Sequence, residues 1–202
     1  MSSDSYGVHT APNLSQWLQF IRACSGDELG ELVHVLGLHD RLPSGFLATL
    51  DDANLAVCYR AAIICYGVTG SVKVPCEMQL RVVLSDSQGK DMIVSAGAGS
   101  GKTLAIALNI LLDDPDDNLV TLLVTLTHSP LKHLQVTQES NFNTCYGIPT
   151  VVINEDTPRE DSWWNVRTHC LFLVSGYSLT NTYRRTSGIR RHVPVDALGF
   201  SS

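Results

Sequence analysis

The chain has 202 residues and a mass of 22.0 kDa, with 44% apolar residues, 17% charged residues and a formal net charge of -6. That is enough for one ordinary domain with an accessory segment, and too apolar for a disordered chain. A mildly acidic chain has no overall electrostatic footprint for nucleic acid, so binding one needs a local basic patch.

Residues 1–13, "MSSDSYGVHTAPN", read as a loose tail; they lack the basic start and apolar core of a signal peptide. Residues 14–66 read as a helical accessory region of three helices. Leu14, Trp17, Leu18 and Ile21 recur at helical spacing in the first. "SGDELGELVHVLGL" follows, with Ser25 or Asp27 as its cap. "DDANLAVCYRAAIICYG" is the third, begun at Asp51-Asp52 and stopped by Gly67. Its longest apolar stretch contains Arg60 and is too short to span a bilayer, so no membrane contact is expected. His34 and His39 read as ordinary histidines. The six cysteines form no C-x-x-C and no zinc-ligand spacing with histidine, which fits a reduced, intracellular, soluble protein.

"GVTGSVKVP" is a linker by composition, and the pattern changes at Pro75. "PCEMQLRVVLSDSQ" reads as a helix, "GKDMIVSA" as a strand and "KTLAIALNILL" as a helix closed by "DDPDDN". "LVTLLVTLT" is an apolar run of the kind buried in a parallel sheet. "SPLKHLQVTQESNFNTCY" is a helix begun by Ser-Pro, and "IPTVVIN" is a further strand. This alternation predicts an α/β fold over residues 73–165, a parallel sheet with helices on its faces. Residues 166–202 form a basic tail, with Arg167, Arg184, Arg185, Arg190 and Arg191 against the single acid Asp196.

Ala96-Gly97-Ala98-Gly99-Ser100-Gly101-Lys102-Thr103 fits the P-loop form A/G-x-x-x-x-G-K-S/T between an expected strand and an expected helix. Such glycines let backbone N–H groups turn inward around phosphates, and the helix N-terminus adds its dipole. The expected ATP-binding residues are Gly97, Ala98, Gly99, Ser100, Gly101, Lys102 and Thr103. In this reading Lys102 reaches the β- and γ-phosphates and the Thr103 hydroxyl ligates Mg²⁺, which makes these two the expected catalytic pair.

Upstream, Gln79 lies four residues after Pro75 and seventeen before Ala96. With "QGKDMIV" this resembles the Q motif of superfamily 2 helicases, the DEAD-box and RecQ-like group. The resemblance implies that Gln79 reads adenine, accepting from the exocyclic amine and donating to a ring nitrogen; an amide can do both. Tyr59 and Tyr66 are both possible partners for the adenine face. Downstream, "THSPLKHLQVTQ" resembles motif Ia of RecQ-like helicases. That implies backbone contacts to nucleic acid from Ser129 and Lys132, DNA being favoured over RNA. The whole is similar to the first RecA-like, ATP-binding lobe of such a helicase. The family more often has Thr where Ala98 stands. A nuclear location is implied if the chain is a eukaryotic RecQ-like protein.

The acidic box that follows in the family, Asp-Glu-x-His/Asp, does not occur in these residues. Glu155-Asp156 is reversed and too early. Asp196 is the nearest alternative, but Ala197 follows it and Pro194 interrupts the strand before it. A chain truncated before this box and without a second lobe is expected to be weak or inactive as a motor. Two alternatives stay open: a catalytically dead nucleotide- or nucleic-acid-binding fragment, and a P-loop ATPase of another class. The oligomeric state is not legible.

Overall fold

The computed structural model describes residues 14–97, 99–114, 120–125, 132–153, 170–174 and 189–194. Its first half is helical. Helix α1 spans Leu14–Ala23 and α2 spans Gly26–Val35. Ser25 starts α2 through a reciprocal cap. Its Oγ accepts from the Glu28 amide at 3.3 Å, and the Glu28 carboxylate accepts from the Ser25 amide at 2.7 Å. Two orphan donors of the first turn are satisfied that way, so Ser25, not Asp27, is the cap. A single turn, α3 (Ser44–Leu47), precedes the long helix α4 (Asp52–Val68). Asp51 caps α4 by accepting from the Asn54 amide at 2.8 Å.

Gly67 was expected to stop this helix, and it does not. The helix continues through it to Val68. The reason is tertiary: a Cβ on Gly67 would collide with the indole ring of Trp17. The missing side chain makes room for α1 to cross α4, and that contact outweighs the weak helix propensity of glycine. The stop comes two residues later. The Thr69 hydroxyl donates to the Cys65 carbonyl at 2.7 Å, and Gly70 turns the chain.

Helix α4 is the centre of the helical half. Cys58, Ala61, Ala62, Ile63, Ile64 and Cys65 are all buried, and the helix packs against α1, α2, α5 (Glu77–Ser87) and α6 (Lys102–Leu112). Helix α6 is also apolar nearly all round, as a helix enclosed on most sides must be. One continuous core runs from Leu18 and Ile21 of α1 through α4, α5 and α6 to Phe142 of α7 (Lys132–Cys145) and to Ile148. Each such Leu or Ile contributes about 1.5–3 kcal/mol by leaving water.

The second half supplies a sheet: β1 (Val120–Thr125), β2 (Thr150–Ile153), β3 (Cys170–Val174) and β4 (Ile189–Pro194), in the order β2-β3-β1-β4 with every pairing parallel. Asn143 ties α7 to the start of β2. Its side-chain amide donates to the Thr150 carbonyl at 3.2 Å and accepts from the Thr150 amide at 3.0 Å.

The expected strand "GKDMIVSA" is a correction. Residues 90–97 are irregular and pair with no strand, and Ile93 is 89% exposed. Strand propensity is largely a statement about neighbours, and an apolar run without a ladder partner is not a strand.

Candidate nucleotide-binding site

Gly99 and Ser100 lead through Gly101 into α6. Gly101 is the N-cap, with φ of 82°, and its carbonyl accepts from the amides of Leu104 at 3.0 Å and Ala105 at 3.2 Å. A left-handed backbone at that point favours glycine. Space demands it too, because a Cβ there would run into the amide nitrogen of Gln79.

Gln79 sits at the start of α5 and is 5% exposed. Both ends of its amide are engaged within the protein. Oε1 accepts from the Cys76 amide at 2.9 Å, and Nε2 donates to the Gly101 carbonyl at 3.0 Å. One side chain thus caps α5 and holds the start of α6. Of the two aromatics considered for the adenine face, Tyr66 carries the Arg41 guanidinium 5.7 Å over its ring, and Tyr59 stands beside Gly30.

Lys102 is the first residue of α6 and only 6% exposed. Its ammonium folds back over the loop, donating to the carbonyls of Ala96 at 2.6 Å and Gly97 at 3.0 Å. The loop therefore closes around a cation at a helix N-terminus. Thr103 follows, half-buried. The Ser100 hydroxyl is buried and makes no hydrogen bond, which is uncommon for a buried polar atom and leaves it available to a ligand. A buried ammonium and a hydroxyl without a partner at a helix N-terminus suit a polyanion.

Of the other expected residues, Ala98 and Ser129 lie outside the described residues, as do Glu155, Asp156 and Asp196. Lys132 is the first residue of α7. Pro194, expected to interrupt a strand, is the last residue of β4, and β4 stands at one end of the sheet order, a position that tolerates proline. Among the described residues, no group of three or more His, Cys, Asp or Glu side chains is placed to hold a metal ion. No helix among them is long and apolar enough to cross a membrane.

Sequence reasoning missed the bond from Gln79 to Gly101. Half of it was legible, since a Gln three residues after a helix cap signals a capping box. The other half joins residues 22 apart and has no local sign.

The described residues combine a parallel sheet and an enclosed helix α6 that opens on a glycine-rich turn. A model of the DEAD/DEAH box helicase family matches residues 76–190, more than half of the chain, and the chain belongs to that family. This is consistent with the RecA-like lobe of a superfamily 2 helicase and with a helicase-like role in nucleotide and nucleic-acid binding. The match begins at Cys76, so helices α1 to α4 precede it. No curated protein matches the chain.

Proposed function

We propose that this chain binds ATP with Mg²⁺ at the loop of residues 97–103 and contacts a nucleic-acid backbone near Ser129 and Lys132. By itself it turns ATP over slowly or not at all. The observation that carries the reading is the folded-back Lys102 ammonium at the start of an enclosed helix, beside the buried Ser100 hydroxyl. ATP would exchange the two carbonyl contacts of Lys102 for phosphate oxygens, a charge-assisted gain. Gly97, Ala98, Gly99, Ser100 and Gly101 would supply the backbone cradle. Mg²⁺ would be held by the Thr103 hydroxyl together with the phosphates and would neutralise their charge. Gln79 uses one oxygen lone pair on Cys76 and one N–H on Gly101, so it would shape the loop and keep one N–H and one lone pair for adenine.

Weak turnover is proposed because these 202 residues contain no Asp-Glu-x-His/Asp box. Positioning water and stabilising the phosphoryl group is most of phosphoryl-transfer catalysis. DNA is favoured over RNA on the likeness of "SPLKHL" to the RecQ-like segment. The test is titration of a fluorescent ATP analogue with Mg²⁺, then ATP turnover with and without single-stranded DNA or RNA. The expected result is binding that Lys102→Ala abolishes, with turnover near background. Binding that survives Lys102→Ala sinks the site, and turnover stimulated many-fold by either nucleic acid sinks the weak-motor part.

A further inference from the structure

Helix α6 is gripped at both ends by side chains from other helices. At its start Gln79 of α5 holds the Gly101 carbonyl. At its finish Arg22 of α1 donates to the Leu111 carbonyl at 2.7 Å. The last carbonyls of a helix have no partner within it, so a cation there satisfies an orphan acceptor and the helix dipole together. The Asp113 and Asp114 carboxylates lie near enough to act on the same guanidinium. Burial pulls Arg22 down from its usual value, and those carboxylates oppose the shift.

Helix α1 is itself fastened along its length. Leu14 lies over Gly147, and the Trp17 indole fills the place of a side chain on Gly67. At its end, Arg60 of α4 donates to the carbonyls of Ile21 at 3.2 Å and Cys24 at 3.0 Å. Arg22 is therefore held by an anchored element. The 11-residue helix α6 is about 16 Å long and enclosed on most sides. Close-packed helices shift as bodies, not as springs, so a change at Leu111 reaches Gly101 and Lys102.

We propose that Arg22 is a positioning residue for the phosphate loop. Through it the helices that precede the family match set the axial position of α6, and with it the nucleotide affinity of the site. This rests on the reading of residues 97–103 as an ATP site.

The test uses the full chain in four forms: wild type, Arg22→Met, Arg22→Lys and Val33→Ala. Arg22→Met keeps the aliphatic stem and removes the donor. Arg22→Lys keeps the charge and one donor. Val33→Ala removes buried volume at the packing of α2 on α4 and serves as the control for lost stability. Two quantities are read: Kd for a fluorescent ATP analogue, and hydrogen exchange at the Leu104 and Ala105 amides, which bond the Gly101 carbonyl.

Arg22→Met should weaken binding about tenfold, and Arg22→Lys should recover part of it. Val33→Ala should stay within about twofold at a comparable loss of Tm. Exchange at Leu104 and Ala105 should quicken in Arg22→Met beyond its value in Val33→Ala. Unchanged binding in Arg22→Met overturns the proposal, as does an equal loss in Val33→Ala. Should the wild-type chain bind no nucleotide, the ATP reading has failed on its own, and unchanged exchange in Arg22→Met then overturns the positioning role independently.

Discussion

Two stretches deliver the chain to the glycine-rich loop before α6, and they arrive in different condition. Residues 76–79 arrive bonded, with Gln79 buried among them. Gln79 caps α5 and holds Gly101, while α5 packs on both α4 and α6. Residues 91–97 arrive irregular and mostly exposed, with Ile93 89% and Met92 42% exposed. The same loop is thus shaped from the helical side, by side-chain bonds, and not by a ladder running into it. Its geometry depends on what touches Gly101.

Gly101→Ala should therefore have the largest effect. It places a side chain on a left-handed backbone and against Gln79, at a cost of about 3 kcal/mol. ATP-analogue binding should be lost, and Tm should fall. Gly97→Ala is the internal comparison, since nothing stands within 4 Å of a Cβ built there. Urea unfolding of the two variants measures the difference. Equal losses would mean that the loop is not held from the helical side.

Gln79 separates capping from tethering. Gln79→Ala removes both bonds and should cost about 1–2 kcal/mol. Gln79→Glu keeps an acceptor for the Cys76 amide but turns a carboxylate oxygen toward the Gly101 carbonyl, where a donor is needed. The glutamate variant should thus retain more stability than the alanine variant, yet bind ATP no better. Glutamate binding as wild type would leave Gln79 as a cap alone.

Buried and exposed positions should also differ in their thiols. Burial pushes Cys58 up to about 12 and Cys65 up to about 11, from 9.0. Both stay protonated in the folded chain while their unfolded counterparts ionise above pH 9. The unfolded state then binds fewer protons, so their contribution to stability is complete below pH 9 and is lost as pH rises from 9 toward 11–12. Tm followed from pH 8 to 10.5 should fall, and less steeply in Cys58→Ala. At pH 8 a thiol reagent should mark the exposed Cys76 and Cys145 well before Cys58 or Cys65, as mass spectrometry of timed samples would read.

How much of this was legible follows from the range of each cause. Asp51, and Ser25 as one of the two caps its helix offered, are local signals, and each caps the helix that follows it. Gly67 was misread because its reason is Trp17, fifty residues earlier. "GKDMIVSA", residues 89–96, was misread because strand propensity reports a preference for pairing and not the presence of a partner. The grip of Arg22 on Leu111 joins residues 89 apart through a backbone carbonyl, and no residue type at either end announces it.

The smallest expected effect tests the exposed approach itself. Ile93 is apolar in sequence yet 89% exposed, so Ile93→Ser should change stability by no more than about 0.5 kcal/mol. The same change at a buried isoleucine would cost about 2–4 kcal/mol, through lost transfer energy and the cavity left behind. Ile63, 2% exposed in α4, gives that reference within the same molecule. Urea midpoints for Ile93→Ser and Ile63→Ser therefore bracket the answer. If Ile93→Ser falls near Ile63→Ser, residues 91–97 are packed as a strand in solution. Among the described residues β4 has β1 as its one neighbour in the sheet and would offer an edge for such a strand to join. The loop would then be held from both sides, and the contrast between its two approaches would disappear.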